Sequence, residues 1–171
     1  MSKSRWYAAA PGVGATLLCL SAALAEPTAD QASARNMSEM KFTPIPGLPT
    51  CVQMAIQSGD PAQGAFVALI KAKTGCTVPS HWHTGSEQLM IVEGTARVHM
   101  KDMGQPVALH AGGFTMMPPR HVHEFHCTQT CTFFLHSDQK FDIHYVDPQG
   151  KELRPEEALK AVNETPATAM K

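Results

Sequence analysis

Between residues 51 and 146 the chain is cut into short apolar or alternating runs, at 51–57, 65–73, 88–92, 96–100, 107–110, 114–117, 123–127, 131–136 and 141–146. Turn chemistry separates them, in Ser58-Gly-Asp-Pro61, Glu93-Gly94, Asp102-Met-Gly104, Gly112-Gly113, Pro118-Pro119 and Ser137-Asp138. Many short strands at this spacing predict an all-β sandwich or barrel. A single helix is expected at 155–161, where Pro155 suits a first turn and Glu156 and Glu157 sit beside the positive end of the dipole.

The N-terminus reads differently. Lys3 and Arg5 precede an uncharged, apolar and small-residue stretch at 8–23, and Ala23-Leu24-Ala25 offers the small-x-small pattern of a signal peptidase site. Residues 1–25 are therefore expected to be a signal peptide, with Glu26 first in the mature chain. Pro11, Gly12 and Gly14 interrupt a run already short for spanning a bilayer, so no stable membrane insertion is expected after cleavage. Residues 26–44 read as a flexible lead-in, 45–147 as the folded domain, and 148–171 as a tail with the short helix. The expected location is exported, periplasmic or secreted.

Export sets the meaning of the cysteines. Cys51, Cys76, Cys127 and Cys131 remain after the leader, an even number suited to an oxidising compartment. Cys127 and Cys131 flank a short polar loop between two strand ends, within disulfide reach, which leaves Cys51 with Cys76. The alternative is buried thiols acting as small hydrophobes. Charge excludes another class of partner: 14 Lys+Arg against 15 Asp+Glu leave no cationic surplus to neutralise phosphates of a nucleic acid.

All nine histidines fall between His81 and His144. His81 and His83 are two apart, so on an extended strand their rings share a face, and Glu87 can return to that face from the next strand. His123, after a proline turn, adds a third imidazole. Such a set suits one divalent ion of Fe, Mn, Ni, Cu or Zn. Two other candidates flank the ligands: His121, with the strand parity of His123, and Arg120, a cation placed to receive an anionic ligand. With Glu87 they are the candidate catalytic residues.

These stretches resemble the cupin superfamily. The first cupin motif, G-x5-H-x-H-x3-E-x6-G, is met by Gly75, His81, His83, Glu87 and Gly94; the second, G-x5-P-x-G-x2-H-x3-N, by Gly112, Pro118 and His123, with Arg120 in place of glycine and Cys127 in place of asparagine. Within that superfamily the chain looks most like small exported single-domain cupins of the type-2 kind, whose activity is unassigned. The resemblance implies a double-stranded β-helix barrel, jelly-roll-like, holding one divalent metal ion through His81, His83, Glu87 and His123. It also implies pairing of two copies through edge strands. It does not choose a reaction. The leading enzymatic reading is a metal-dependent, dioxygenase-like oxidoreductase acting on a small organic substrate. The alternative is a non-enzymatic metal domain that binds or senses a small ligand.

Overall fold

The computed structural model describes residues 32–164. The expected leader and its cleavage site before Glu26 lie outside the described residues, as does the end of the expected tail. Among the described residues no helix is long and apolar enough to cross a membrane.

After a 3-10 turn at Met37–Glu39 come twelve strands: β1 Thr43–Pro44, β2 Val52–Gly59, β3 Phe66–Ala72, β4 Thr77–Trp82, β5 Glu87–Glu93, β6 Ala96–Met100, β7 Val107–Leu109, β8 Phe114–Met117, β9 His123–Cys127, β10 Cys131–Ser137, β11 His144–Val146 and β12 Glu152–Leu153. The helix α1, Pro155–Glu164, closes the order. It begins at Pro155 as expected and carries Glu156 and Glu157 in its first turn. Its Ala158 and Leu159 pack against the core.

The expected closed β-helix barrel is corrected here. The strands form two separate six-stranded antiparallel sheets, ordered β1-β2-β3-β10-β5-β8 and β12-β11-β4-β9-β6-β7. Among the described residues no ladder joins the edge of one sheet to the edge of the other, so β1, β8, β12 and β7 each pair on one side only. A barrel needs every strand hydrogen-bonded on both sides. Side chains join the layers instead: Phe66, Ile70, Leu89, Ile91 and Phe133 of the first sheet share one buried cluster with Val78, Val98, Phe125 and Tyr145 of the second. In β9 the period of two is plain, with His123, Phe125 and Cys127 buried and Glu124 and His126 only partly so.

Two disulfides fasten the layers where the ladders do not. Cys51, just before β2, is bonded to Cys76, just before β4, with Cα atoms 5.8 Å apart. Cys127 at the end of β9 is bonded to Cys131 at the start of β10, with Cα atoms 5.9 Å apart. Each bond runs from one sheet to the other, and Cys76 and Cys127 are themselves joined by the Cys127 N–H donating to the Cys76 carbonyl at 2.9 Å. Both bridges thus sit at the end of β4 and β9 away from His81 and His123.

Glycine matters most at Gly94, in the turn between β5 and β6. Its φ is +81°, and a Cβ there would lie 2.1 Å from the Thr130 carbonyl oxygen. Only a residue without a side chain fits both constraints.

Candidate metal centre

Three elements deliver the four side chains. His81 lies in β4 and faces His123, the first residue of β9, as a cross-strand pair. Glu87 opens β5, and His83 follows the last residue of β4. Expecting His81 and His83 on one continuous strand was therefore close but not complete. β4 is irregular: its register against β9 shifts between Val78 and His81, where Pro79 stands, since proline has no N–H to give to a ladder.

All four residues are buried, and one ligand atom from each lies within 4.8 Å of the others. The rings crowd together, with centroids of His81 and His123 4.1 Å apart and those of His81 and His83 4.9 Å apart. Each ring is held by its outer nitrogen. His81 Nδ1 donates to the Pro79 carbonyl at 2.7 Å, His123 Nδ1 to the His121 carbonyl at 3.0 Å, and His83 Nδ1 to the Asp142 carbonyl. A carbonyl oxygen only accepts, so the proton sits on Nδ1 and the Nε2 lone pair is left to face inward. This is how ligating histidines are oriented by the groups behind them.

Inside the cluster Glu87 Oε2 is 3.1 Å from His123 Nε2 and 3.6 Å from His83 Nε2. With Nδ1 of His123 already donating, the short contact needs one proton between Nε2 and Oε2. His83 Nε2 is buried without a hydrogen-bond partner. A buried polar atom with no partner is costly. A cation among these four donors satisfies that atom and replaces the shared proton, so the residues present fit a divalent ion. Three imidazoles and one carboxylate hold one such ion without naming which.

The electrostatics agree with that reading. Burial lowers His81 well below the ordinary imidazole value, reinforced by His123 and His83 alongside. Burial pushes Glu87 up, but the charge of His83 and the hydrogen bond from His123 outweigh it, leaving the carboxyl below its usual value. One group thus stays neutral and the other stays anionic, the forms in which each can ligate.

The remaining candidates lie elsewhere. Arg120 is exposed, and its guanidinium carbon sits 5.0 Å from the Trp82 ring centroid. Trp82 in turn stacks on His144 at 3.8 Å. Arg120 has φ +61°, so arginine adopts the left-handed turn where the cupin motif places glycine, and its N–H donates to the His83 carbonyl at 2.8 Å. His121 contributes its carbonyl to His123, while its own Nε2 is buried and unpartnered. Cys127, where the motif has asparagine, is fully buried and taken by the disulfide. The contributions that sequence reasoning did not find are the carbonyls of Pro79 and Asp142, which every residue carries and no composition signals. Asp142 is also anchored by its side chain, whose Oδ1 accepts the Thr84 N–H at 2.8 Å.

The family model of the ChrR cupin-like domain matches residues 30–140, well over half of the chain. The chain belongs to the ChrR cupin-like domain family. Among curated proteins there is no match. Among solved structures, this cupin is similar to the polyketide cyclase RemF of Streptomyces resistomycificus, with TM-score 0.61 and 16% identity over 74% of this chain and 92% of that one. It is also similar to a Methylibium petroleiphilum protein provisionally assigned as an acetylacetone dioxygenase, with TM-score 0.58 and 16% identity over 81% and 99% of the two chains. An RmlC-like cupin of Ralstonia eutropha gives TM-score 0.57 and 19% identity over 80% and 92%. At these identities the likeness shows a shared cupin fold.

Proposed function

We propose that this cupin is a metal-dependent oxidoreductase of the dioxygenase kind, acting on a small organic molecule next to the ion held by His81, His83, Glu87 and His123. The observation that carries the reading is the set of three imidazoles, each pinned at Nδ1 by a carbonyl, around one buried carboxylate. Among the solved structures that share its fold, the one provisionally named a dioxygenase supports this class, while another is named a cyclase. When bound, a redox-active divalent ion supplies Lewis acidity and electron transfer. The chain's own residues do the rest. The three rings hold their lone pairs on one point without needing to reorient, Glu87 stands as an unprotonated carboxylate that can accept a proton from substrate, and apolar walls would exclude water. We further propose that the protein works in an oxidising compartment, a reading the two disulfides support.

The test loads metal-stripped protein with Fe(II), Mn(II), Ni(II), Cu(II) or Zn(II) in turn and measures oxygen uptake with small oxygen-bearing organic compounds. Glu87→Ala serves as the control. Uptake that requires a redox-active ion and disappears in the variant supports the proposal. A protein that binds only zinc, or shows no uptake with any ion, overturns it and leaves a domain that binds a metal and a ligand without turnover.

A further inference from the structure

The four metal donors line a cavity, and the rest of its lining says what can enter. Besides the four donors every lining residue is apolar, including Val78, Leu89, Phe125, Phe133, Leu135 and Phe141. Leu89 and Leu135 face each other as cross-strand partners, two residues along from the Glu87 and Ser137 pair, so the aliphatic wall begins directly beside the carboxylate ligand. The Phe141 ring lies 5.7 Å from that of His83, centroid to centroid. Among the described residues no lysine, arginine, asparagine, glutamine or hydroxyl side chain lines this space. Arg120, the cation that sequence reasoning placed near the ligands, stacks on Trp82 instead.

Charge balance narrows the choice further. A divalent ion with three neutral imidazoles and one carboxylate carries a net charge of about +1. One negative charge on a coordinating head is matched there. A second charge on the body of the molecule meets only hydrocarbon, and an unpaired charge in such surroundings is strongly disfavoured. The size is limited as well: the free volume for a water-sized sphere is about 40 Å³. That is room for only a few water-sized groups, shared between the head and the body, so the body is short.

Resting on the metal-centre reading above, we infer that the cavity takes a compact molecule with one oxygen-bearing, metal-coordinating head of at most one negative charge and a short, uncharged, aliphatic body. Dicarboxylates and other molecules with a charged tail are excluded by the lining rather than by the metal.

Straight-chain hydroxamic acids test this, because the head releases one proton to the buffer as it coordinates and the tail can be varied alone. The full chain is loaded with Co(II), and ligand binding is followed by the visible absorption of the cobalt. The expected result is a gain of about fourfold in affinity per added methylene over the first few carbons of the tail beyond the acetyl compound, then no further gain. A tail of equal length ending in a carboxylate should bind at least about tenfold more weakly than its methyl-ended counterpart. In Leu135→Ala the length at which the gain stops should move to a longer tail. Affinity independent of tail length, equal or tighter binding of the carboxylate-ended tail, or no spectral response from cobalt-loaded protein would each overturn the inference while leaving the metal centre intact. Failure of the chain to take up cobalt at all would overturn the metal centre itself and this inference with it.

Discussion

Replacing Arg120 should reverse the usual ranking of glycine and alanine. In an ordinary loop alanine is the more stabilising of the two by about 0.4–1 kcal/mol, because it restricts the unfolded chain. At position 120 the backbone is left-handed, with φ +61°, and a side chain there costs about 1–2 kcal/mol relative to glycine. The second effect is the larger, so Arg120→Gly should exceed Arg120→Ala by about 0.5–1 kcal/mol. Arg120 also loses its contact with Trp82 in either variant, worth about 0.5–1 kcal/mol at an exposed site. Hence Arg120→Ala should be less stable than the natural protein by about that amount, and Arg120→Gly about equal to it. Urea unfolding of the metal-free protein reads the difference as a shift in midpoint at constant slope. A Trp82→Ala background isolates the ring contact, since Arg120→Ala should then cost nothing further. Alanine matching or exceeding glycine at this position would refute the reasoning.

Gly94→Ala should destabilise by at least about 3 kcal/mol, since a Cβ would strike the Thr130 carbonyl at 2.1 Å from an already left-handed residue; its thermal midpoint should fall accordingly. The Cys51–Cys76 bridge closes a separation of 25 residues and the Cys127–Cys131 bridge one of 4, so chain entropy gives about 3.5 kcal/mol for the first and about 2 kcal/mol for the second. Calorimetry of the two paired cysteine-to-alanine variants should show the larger loss for the long loop. In metal-free protein His81 titrates below its ordinary 6.5, so the folded state binds fewer protons than the unfolded one. Stability should be full above that pH and decline as pH falls below it, with a further loss below 4.5 from Glu87. Chelator treatment of metal-loaded protein should lower its thermal midpoint, and His83→Ala should abolish that sensitivity, as read by scanning calorimetry with and without chelator.

Most strands were legible from alternation and turn residues, and the 96–100, 114–117 and 123–127 runs match their strands end to end. β4 was not, because Thr77-Val-Pro-Ser-His-Trp82 mixes polar residues with a proline, and the bulge that admits the proline depends on β9. Whether the sheets close is a property of their edge ladders, and no run of side chains encodes it. The glycines at 75, 94 and 112 were legible as motif positions, and all three have positive φ. Position 120 has the same backbone with arginine in it, so the turn survives a departure that the spacing alone made doubtful. The four donors were readable because their chemistry resides in side chains. The exclusion of Arg120 from the cavity was not, since it follows from which face of the turn Trp82 occupies.

The three acceptors behind the ligand rings belong to the main chain at Pro79, His121 and Asp142. Replacing those residues one at a time leaves each carbonyl in place, provided the local path of the chain is kept. A saturation scan for loss of metal would therefore mark the four donors sharply and pass over the groups that aim them. A substitution at these positions should keep the ring's aim where it keeps that path, which Pro79 shapes within the β4 irregularity and Asp142 through the Oδ1 that accepts the Thr84 N–H. The inward geometry is inherited with the backbone, and it fails through insertions, deletions or a displaced loop sooner than through point substitution.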